Sequence, residues 1–498
     1  MPTAPAPSSA PAGPVPPALG RSARPLTNAA PRAAGWLGPL GLLGLLGVVV
    51  STLLIAAGAA GEPSQYVPAR SGGWIGWLAG PLQGLGLSLG SGGFQTLTSI
   101  MCASYVLALL GARALDRRAI AAAIVAAHVI LLLGPPLLSQ DVFGYIGFAR
   151  LGALHGLDPY THFAAQASSD EVFAFLGWPY QHSPYGPLFT LLSYAFVPLG
   201  LNGGLWAFKA LTVLCSLGAV ALVARAAGQL GQSRRWAAAF VGLNPVLLVL
   251  AVGGAHNDTL IMLALSGVLA LTAGTTPRYG SAAATLVAGV GVKVTAGLAL
   301  PFMLLGAPRA RERLATLQGA VLGLIVLGAV GLIGFGSHAL GFLGAVGEQQ
   351  QLVAVHSIPA ESARLFGLNG TPDWWRNVFA ALFVAALLLT LWRTARGADW
   401  RVAAGWATLA LLLCTAWLLP WYAIWALPLA AVCGNWRLRA ATLLVCAYAV
   451  LIHLPLAEGL LTPPRGVSHG RVRTIVHRDR IDFTRFEVSH DALLDLRH

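Results

Sequence analysis

Long apolar runs alternate with short polar turns along most of the chain. Runs of roughly membrane-crossing length lie at 36–60, 93–112, 119–138, 203–224, 236–253, 258–274, 315–335, 377–393, 402–418, 421–433 and 440–457, taking about 20 residues per helical crossing. Two other apolar stretches fit less simply. The stretch GPLFTLLSYAFVPLG (186–200) fits a juxtamembrane helix, and SAAATLVAGVGVKVTAGLALPFMLLGA (281–307) fits a hairpin that enters and returns, with Lys293 near its middle. Broken helices are tolerated at membrane depth where protein or a wet cavity covers them. The pattern predicts an all-α integral membrane protein: a polytopic bundle of about 11 spans, a re-entrant hairpin and outer juxtamembrane helices.

Charge tests that order. Arg113, Arg117 and Arg118, then Arg225, Arg234 and Arg235, then Arg278, Arg309, Arg311 and Arg313, then Arg393, Arg396 and Arg401, then Arg437 and Arg439 fall in successive turns. They share one side only if 186–200 and 281–307 do not cross, and the positive-inside rule makes that side cytoplasmic. Long loops at 139–186 and 336–376, and a Gly-rich one at 61–92, then face outward. Residues 1–35 read as a disordered basic tail rich in Pro, Ala and Ser, 36–460 as the transmembrane body, and 461–498 as a charged tail. The run 36–60 is too long for a signal-peptide core and reads as a retained first span. The expected location is the cell membrane, multi-pass.

Composition agrees, with 56% hydrophobic and 10% charged residues. The net charge of +13 resides in the topology-setting arginine turns, so nucleic acid is not an expected partner. Cys102, Cys215, Cys414, Cys433 and Cys446 all lie in apolar segments and read as small core residues. No phosphate loop, dinucleotide glycine pattern, zinc-protease motif or nucleophile elbow is present. No cofactor is demanded; a divalent cation near the acids is compatible, but no ligand spacing requires one.

Ionisable groups inside apolar segments are costly and need a reason. The chain has two lysines, Lys209 and Lys293, among 31 basic residues. Lys209, near the start of its span, is either a snorkelling side chain or a ligand group. Lys293 is too central to snorkel, which leaves an anionic ligand or a buried carboxylate. Asp141 directly follows a span and is either a helix cap or a reactive acid. Around it Tyr145, Arg150, His155, Asp158, Tyr160, His162, His182 and Tyr185 make a polar, aromatic loop suited to a sugar. Asp158 precedes Pro159 and has a turn role as its simpler reading. GGAHNDTL (253–260) sets His256, Asn257 and Asp258 side by side at a tight turn between spans. Trp417 and Trp421 match the ordinary interfacial aromatic belt.

In order, SQDVFGYIGFARL…GLDPY, SPYGPLF, GGAHNDTLIMLAL, VKVTAGLALPF and LLPWYAIWALPL resemble the membrane mannosyltransferases of the GT-C class. The resemblance is greatest to the polyprenyl-phosphomannose-dependent α-1,6-mannopyranosyltransferases of actinobacterial lipomannan and lipoarabinomannan synthesis, and it covers about 36–457. It implies an inverting transfer of mannose from a polyprenyl phosphomannose donor to a mannan or glycolipid acceptor at the exoplasmic face, among membrane lipid. It implies Asp141 as general base, with Tyr145, Arg150, Asp158, Tyr160, His182, Tyr185, Lys209, His256, Asn257, Asp258 and Lys293 as substrate-binding candidates. Candidates for charge on the departing phosphate are Lys209, Arg150, Arg364 and Arg376. The segment 466–498 departs from the family and reads as a divergent or out-of-frame tail. The competing readings are a transporter or flippase of lipid-linked sugars, which would use Lys209 and Lys293 as midplane ligands, and a non-catalytic subunit in which Asp141 is dispensable.

Overall fold

The computed structural model describes residues 31–61, 66–67, 76–452 and 486–488. The expected tail up to residue 30, nearly all of the 461–498 tail and parts of the 61–92 loop lie outside the described residues. Regular structure among the described residues is almost wholly helical; Leu352–Ala354 pairs antiparallel with Phe486–Val488.

Among the described residues five helices are long and apolar enough to cross a membrane: Trp36–Ala59, Ser91–Gly111, Pro187–Gln229, which takes in the 186–200 stretch, Ala310–His338 and Asp373–Ala395. A sixth is obtained if Arg234–Gly242 and Val246–Val252, bent by 45°, form one broken span. Helix length therefore does not deliver the expected eleven crossings. The physical reason is local: other apolar segments are cut short by Gly and Pro, leaving pieces such as Asp258–Thr272, Trp400–Cys414 and Pro420–Val432. The 186–200 stretch forms the helix Pro187–Tyr194, and Gly200, at φ 68°, separates it from the helix Gly200–Gln229. The 281–307 stretch does break and fold back. After Tyr279–Val290 the chain turns, Lys293 donates its N–H to Gly289, and Val294–Ala299 returns along the first arm. A Cβ added to Gly289 would lie 3.0 Å from that of Ala296.

Lipid chains are as apolar as leucine, so close packing rather than water exclusion holds such helices together. Trp36–Ala59 shows how: a Cβ on Gly44 would sit 2.3 Å from the Ala108 nitrogen, and one on Gly111 2.4 Å from the Gly41 Cα. At the centre, Val246–Val252 is π-helical and fully buried. Such wide turns recur at functional positions, and this one leads directly into Gly253–Asp258.

The arginine turns draw together at one end. Arg235 donates to the Leu115 carbonyl at 2.8 Å, and Arg439 donates to Gln232 at 3.0 Å and lies over Trp236. The helix Arg117–Leu133 runs from that end to the segment that carries Asp141, about 25 Å at 1.5 Å per residue.

Candidate active site

Asp141 opens the helix Asp141–Ala153. Its backbone N–H donates to Ser139 Oγ at 3.1 Å, but its carboxylate accepts no hydrogen bond among the described residues, so the acid is not spent as a cap. The chain reaches it through a fixed path. Leu137 N–H donates to the Gly253 carbonyl and Leu138 N–H to that of Tyr66, both at 2.8 Å, and Leu138 sits at φ 62°.

Gly253 begins the second half of the site. Ala255 takes φ 56°, and this turn presents His256, Asn257 and Asp258 in succession. His256 Nδ1 lies 3.3 Å from Asp141 Oδ2. The ring is fully buried and stacks on Trp421 with centroids 3.6 Å apart. Asn257 meets Tyr145 twice: the tyrosine hydroxyl donates to Oδ1 at 3.4 Å and accepts the backbone N–H at 3.3 Å. Asp258 Oδ1 accepts from Trp425 Nε1 at 2.9 Å and from Lys293 Nζ at 3.1 Å.

The hairpin break supplies Lys293, whose ammonium lies 4.2 Å from the Tyr422 ring centroid and 5.4 Å from that of Trp425. An acid partner and two ring faces offset the cost of placing that cation in the interior. Lys293 and Asp141 line one cleft with Gly144, Phe148, Trp178, Tyr185 and Tyr422. Gln181, on the same loop as Asp141, and Gln349, from the 336–376 loop, add to its polar lining. Aromatic faces, two amides, one carboxylate and one ammonium meet in one narrow cleft, which is the chemistry a sugar and an anionic group attached to it would need.

Residues 40–309, more than half the chain, match the family model described as alpha-(1->6)-mannopyranosyltransferase, N-terminal domain. The chain belongs to this family. Residues 366–475 match the MptB C-terminal domain, a match that runs ten residues into the tail set apart from 466 onward. The mannosyltransferase is 29% identical over 412 residues to alpha-(1->6)-mannopyranosyltransferase A of Mycobacterium tuberculosis, covering 76% of this chain and 78% of that relative. It is 28% identical over 181 residues to alpha-(1->6)-mannopyranosyltransferase A of Corynebacterium glutamicum, covering 35% and 36% of the two chains. Over 163 residues it is 31% identical to a probable alpha-(1->6)-mannopyranosyltransferase of Mycolicibacterium smegmatis, covering 31% and 28%. No solved structure matches it. The chain is thus a glycosyltransferase.

The fold of the mannosyltransferase gathers Asp141, Tyr145, Tyr185, His256, Asn257, Asp258 and Lys293 and leaves the other candidates outside the cleft. Lys209 does not snorkel. Its ammonium is buried and donates to the carbonyls of Leu131 at 2.8 Å and Pro135 at 3.3 Å, closing the end of the helix Arg117–Leu133. Arg150 is taken by Asp170 at 2.8 Å and Glu171 at 3.2 Å. Arg364 pairs with Glu361 at 2.6 Å, and Arg376 pairs with Asp373. Each of these arginines has an acid neighbour a few residues away in the sequence or across a loop, which meets its charge before a substrate does.

Asp158 accepts from Tyr160 N–H at 2.8 Å, the expected turn, and also lies 3.0 Å from His338. Tyr160 donates to the Tyr185 carbonyl at 2.9 Å, and burial pushes its phenol above the ordinary range. His182 lies 2.8 Å from Glu348. Asp158–His338 and His182–Glu348 thus tie the 139–186 loop to the 336–376 loop and carry Gln349 to the cleft. Burial alone would raise the Asp170 carboxyl, but hydrogen bonds from Val172 N–H, His155 and Arg150 outweigh it and hold the acid below its ordinary range.

Trp417 and Trp421 are not a membrane-interface belt. Both are buried, Trp417 lining the cleft and Trp421 carrying His256. Their motif signals an interface and a site equally well, because both favour amphipathic rings. Nothing in the sequence singles out Trp178, Gln181 or Gln349. Among the described residues no group of three or more His, Cys, Asp or Glu could hold a metal ion.

Proposed function

We propose that the enzyme transfers mannose, with inversion, from polyprenyl phosphomannose to an α-mannan acceptor of the lipomannan type, forming α-1,6 linkages. The observation that carries this reading is that Asp141 is the carboxylate lining the cleft and stands free of any cap, facing a space it shares with Lys293. Asp141 takes the proton of the acceptor hydroxyl as that oxygen attacks the anomeric carbon. The bond to phosphate breaks on the opposite face, so a β-linked donor yields an α-mannoside. Positioned base catalysis is worth ~10²–10⁴-fold. Lys293 meets the negative charge that grows on the leaving phosphate, where a preformed cation in a dry site acts most strongly. Tyr185, Tyr422 and Trp178 offer ring faces to the sugars, and Gln181 and Gln349 offer amides to their hydroxyls.

In this reading the cleft opens on the exoplasmic face of the plasma membrane, opposite the arginine turns, and the short apolar helices and broken pairs complete about 11 crossings. The body spans 36–460, with catalytic loop 139–186 and second outer loop 336–376. A flippase would need its charges at mid-membrane; here Asp141 and Asp258 both begin helices, at the cleft end.

The test uses membranes containing wild type or Asp141→Asn, labelled polyprenyl phosphomannose and a short α-1,6-mannoside. Extension of the acceptor by wild type and its loss in the variant at equal protein level supports the reading. Full activity of the variant removes Asp141 as the base, and no transfer by either protein removes the donor assignment.

A further inference from the structure

Among the described residues two non-glycine residues have positive φ, Leu138 at 62° and Ala255 at 56°. That conformation is disfavoured for an L-residue and tends to persist at sites where the surrounding structure enforces it. Leu138 lies three residues before Asp141, and Ala255 immediately precedes His256. The hydrogen bond from Leu137 N–H to the Gly253 carbonyl joins the two strained segments. Two costly turns, tied to each other, bring the carboxylate and the imidazole to 3.3 Å.

The imidazole itself has no other employment. It is fully buried, yet neither Nδ1 nor Nε2 makes a hydrogen bond, although buried polar groups nearly always find a partner. Its plane is fixed by Trp421 on one face. Gly254 leaves no room beside it, since a Cβ there would lie 2.6 Å from Cδ2 and Nε2. A ring held this tightly and left unpaired is built for a partner that aligns during the reaction. Asp141, the one acid within reach of Nδ1 among the described residues, is that partner.

We propose that His256 is the positioning residue of the base: its Nδ1–H donates to Asp141 Oδ2 once the carboxylate aligns with the fixed ring, and so aims the other carboxylate oxygen into the cleft. This rests on Asp141 being the base. The titratable groups on the elements packed around the ring are Asp141 and Tyr145 on the helix Asp141–Ala153, Tyr422 beside Trp421, Lys293 on the hairpin and Asp258 in its own turn. Lys293 and Asp258 are committed to each other at 3.1 Å. A donor on a carboxylate favours its charged form, so the effect is read at the acid limb of the pH profile.

The experiment compares the pH dependence of kcat/KM for wild type, His256→Phe, His256→Gln and Asp141→Asn, with labelled polyprenyl phosphomannose and a short α-1,6-mannoside. Phenylalanine keeps the stack on Trp421 and removes the donor; its acid limb is expected to move to higher pH. Glutamine restores a donor and is expected to bring the limb back part of the way. If phenylalanine fails to reach the membrane, His256→Leu, which also lacks a donor, takes its place, and a limb identical to wild type with uniformly lower activity overturns the proposal. A phenylalanine variant whose limb coincides with wild type does the same while leaving Asp141→Asn inactive and the base intact. Full activity of Asp141→Asn overturns base and positioning together.

Discussion

Lys293 Nζ lies 3.1 Å from Asp258 Oδ1, and Asp258 is only 1% exposed. The acid also takes the Trp425 indole N–H, while the ammonium faces Tyr422 and lines the cleft. One charge of the pair is therefore buried and the other faces the cleft.

Breaking that pair from the Asp258 side leaves an uncompensated ammonium. Asp258→Asn is expected to cost about 3–5 kcal/mol, seen as a lower Tm of the detergent-solubilised enzyme. Combining Asp258→Leu with Lys293→Met removes both charges and is expected to recover much of that loss without recovering activity. Equal instability of the single and double variants would contradict a charge-based cost.

Lys209 gives a contrasting case. Lys209→Met leaves the Leu131 and Pro135 carbonyls without their donor, at a cost of about 1–3 kcal/mol. Because the ammonium does not reach the cleft, the KM for the lipid-linked donor is expected to stay near wild type. A tenfold rise in that KM would place Lys209 on the substrate.

The strained turn at Ala255 predicts a graded series. Glycine accepts φ 56° freely, so Ala255→Gly is expected to change stability by no more than about 1 kcal/mol. Ala255→Val puts a β-branched side chain in a conformation it rarely adopts and is expected to destabilise strongly. Thermal unfolding of the two variants side by side checks this; equal tolerance of Gly and Val would show that the turn is not strained.

Asp170 predicts a pH dependence. Its carboxyl is held below the ordinary value of 3.8 by Val172 N–H, His155 and Arg150 against the opposing effect of burial. A depressed acid stabilises the folded loop above its unfolded value, and that stabilisation is lost as pH falls through the folded one. Wild type is thus expected to exceed Asp170→Asn in Tm at neutral pH, and the gap is expected to close on acidification below 3.8. A gap that stays constant or widens in acid contradicts the latch.

Much of the site was legible as chemistry and little of it as geometry. Asp141 and the His256, Asn257, Asp258 turn stood out because charge is scarce in an apolar chain. Lys293 was left between an anionic ligand and a buried acid, and the structure gives it Asp258 while keeping it at the cleft. Arg150 misled because the sequence cannot show that Asp170 and Glu171 fold back onto it. Trp421 misled because a ring at a span end suits lipid headgroups as well as it suits His256.

The sequence by itself determined the class: apolar runs of crossing length and positive turns point to a membrane protein, since the bilayer leaves few other ways to bury such segments, and the ordered motifs resemble those of membrane mannosyltransferases. It also fixed which residues carry charge where charge is costly. Only the tertiary structure decided which of them meet. Asp141, His256, Asp258 and Lys293 come from three separate segments, and their distances follow from two positive-φ turns, a π-helical approach and a broken hairpin. None of these has a hydrophobic period, because each depends on contacts between segments rather than on the order of residues within one.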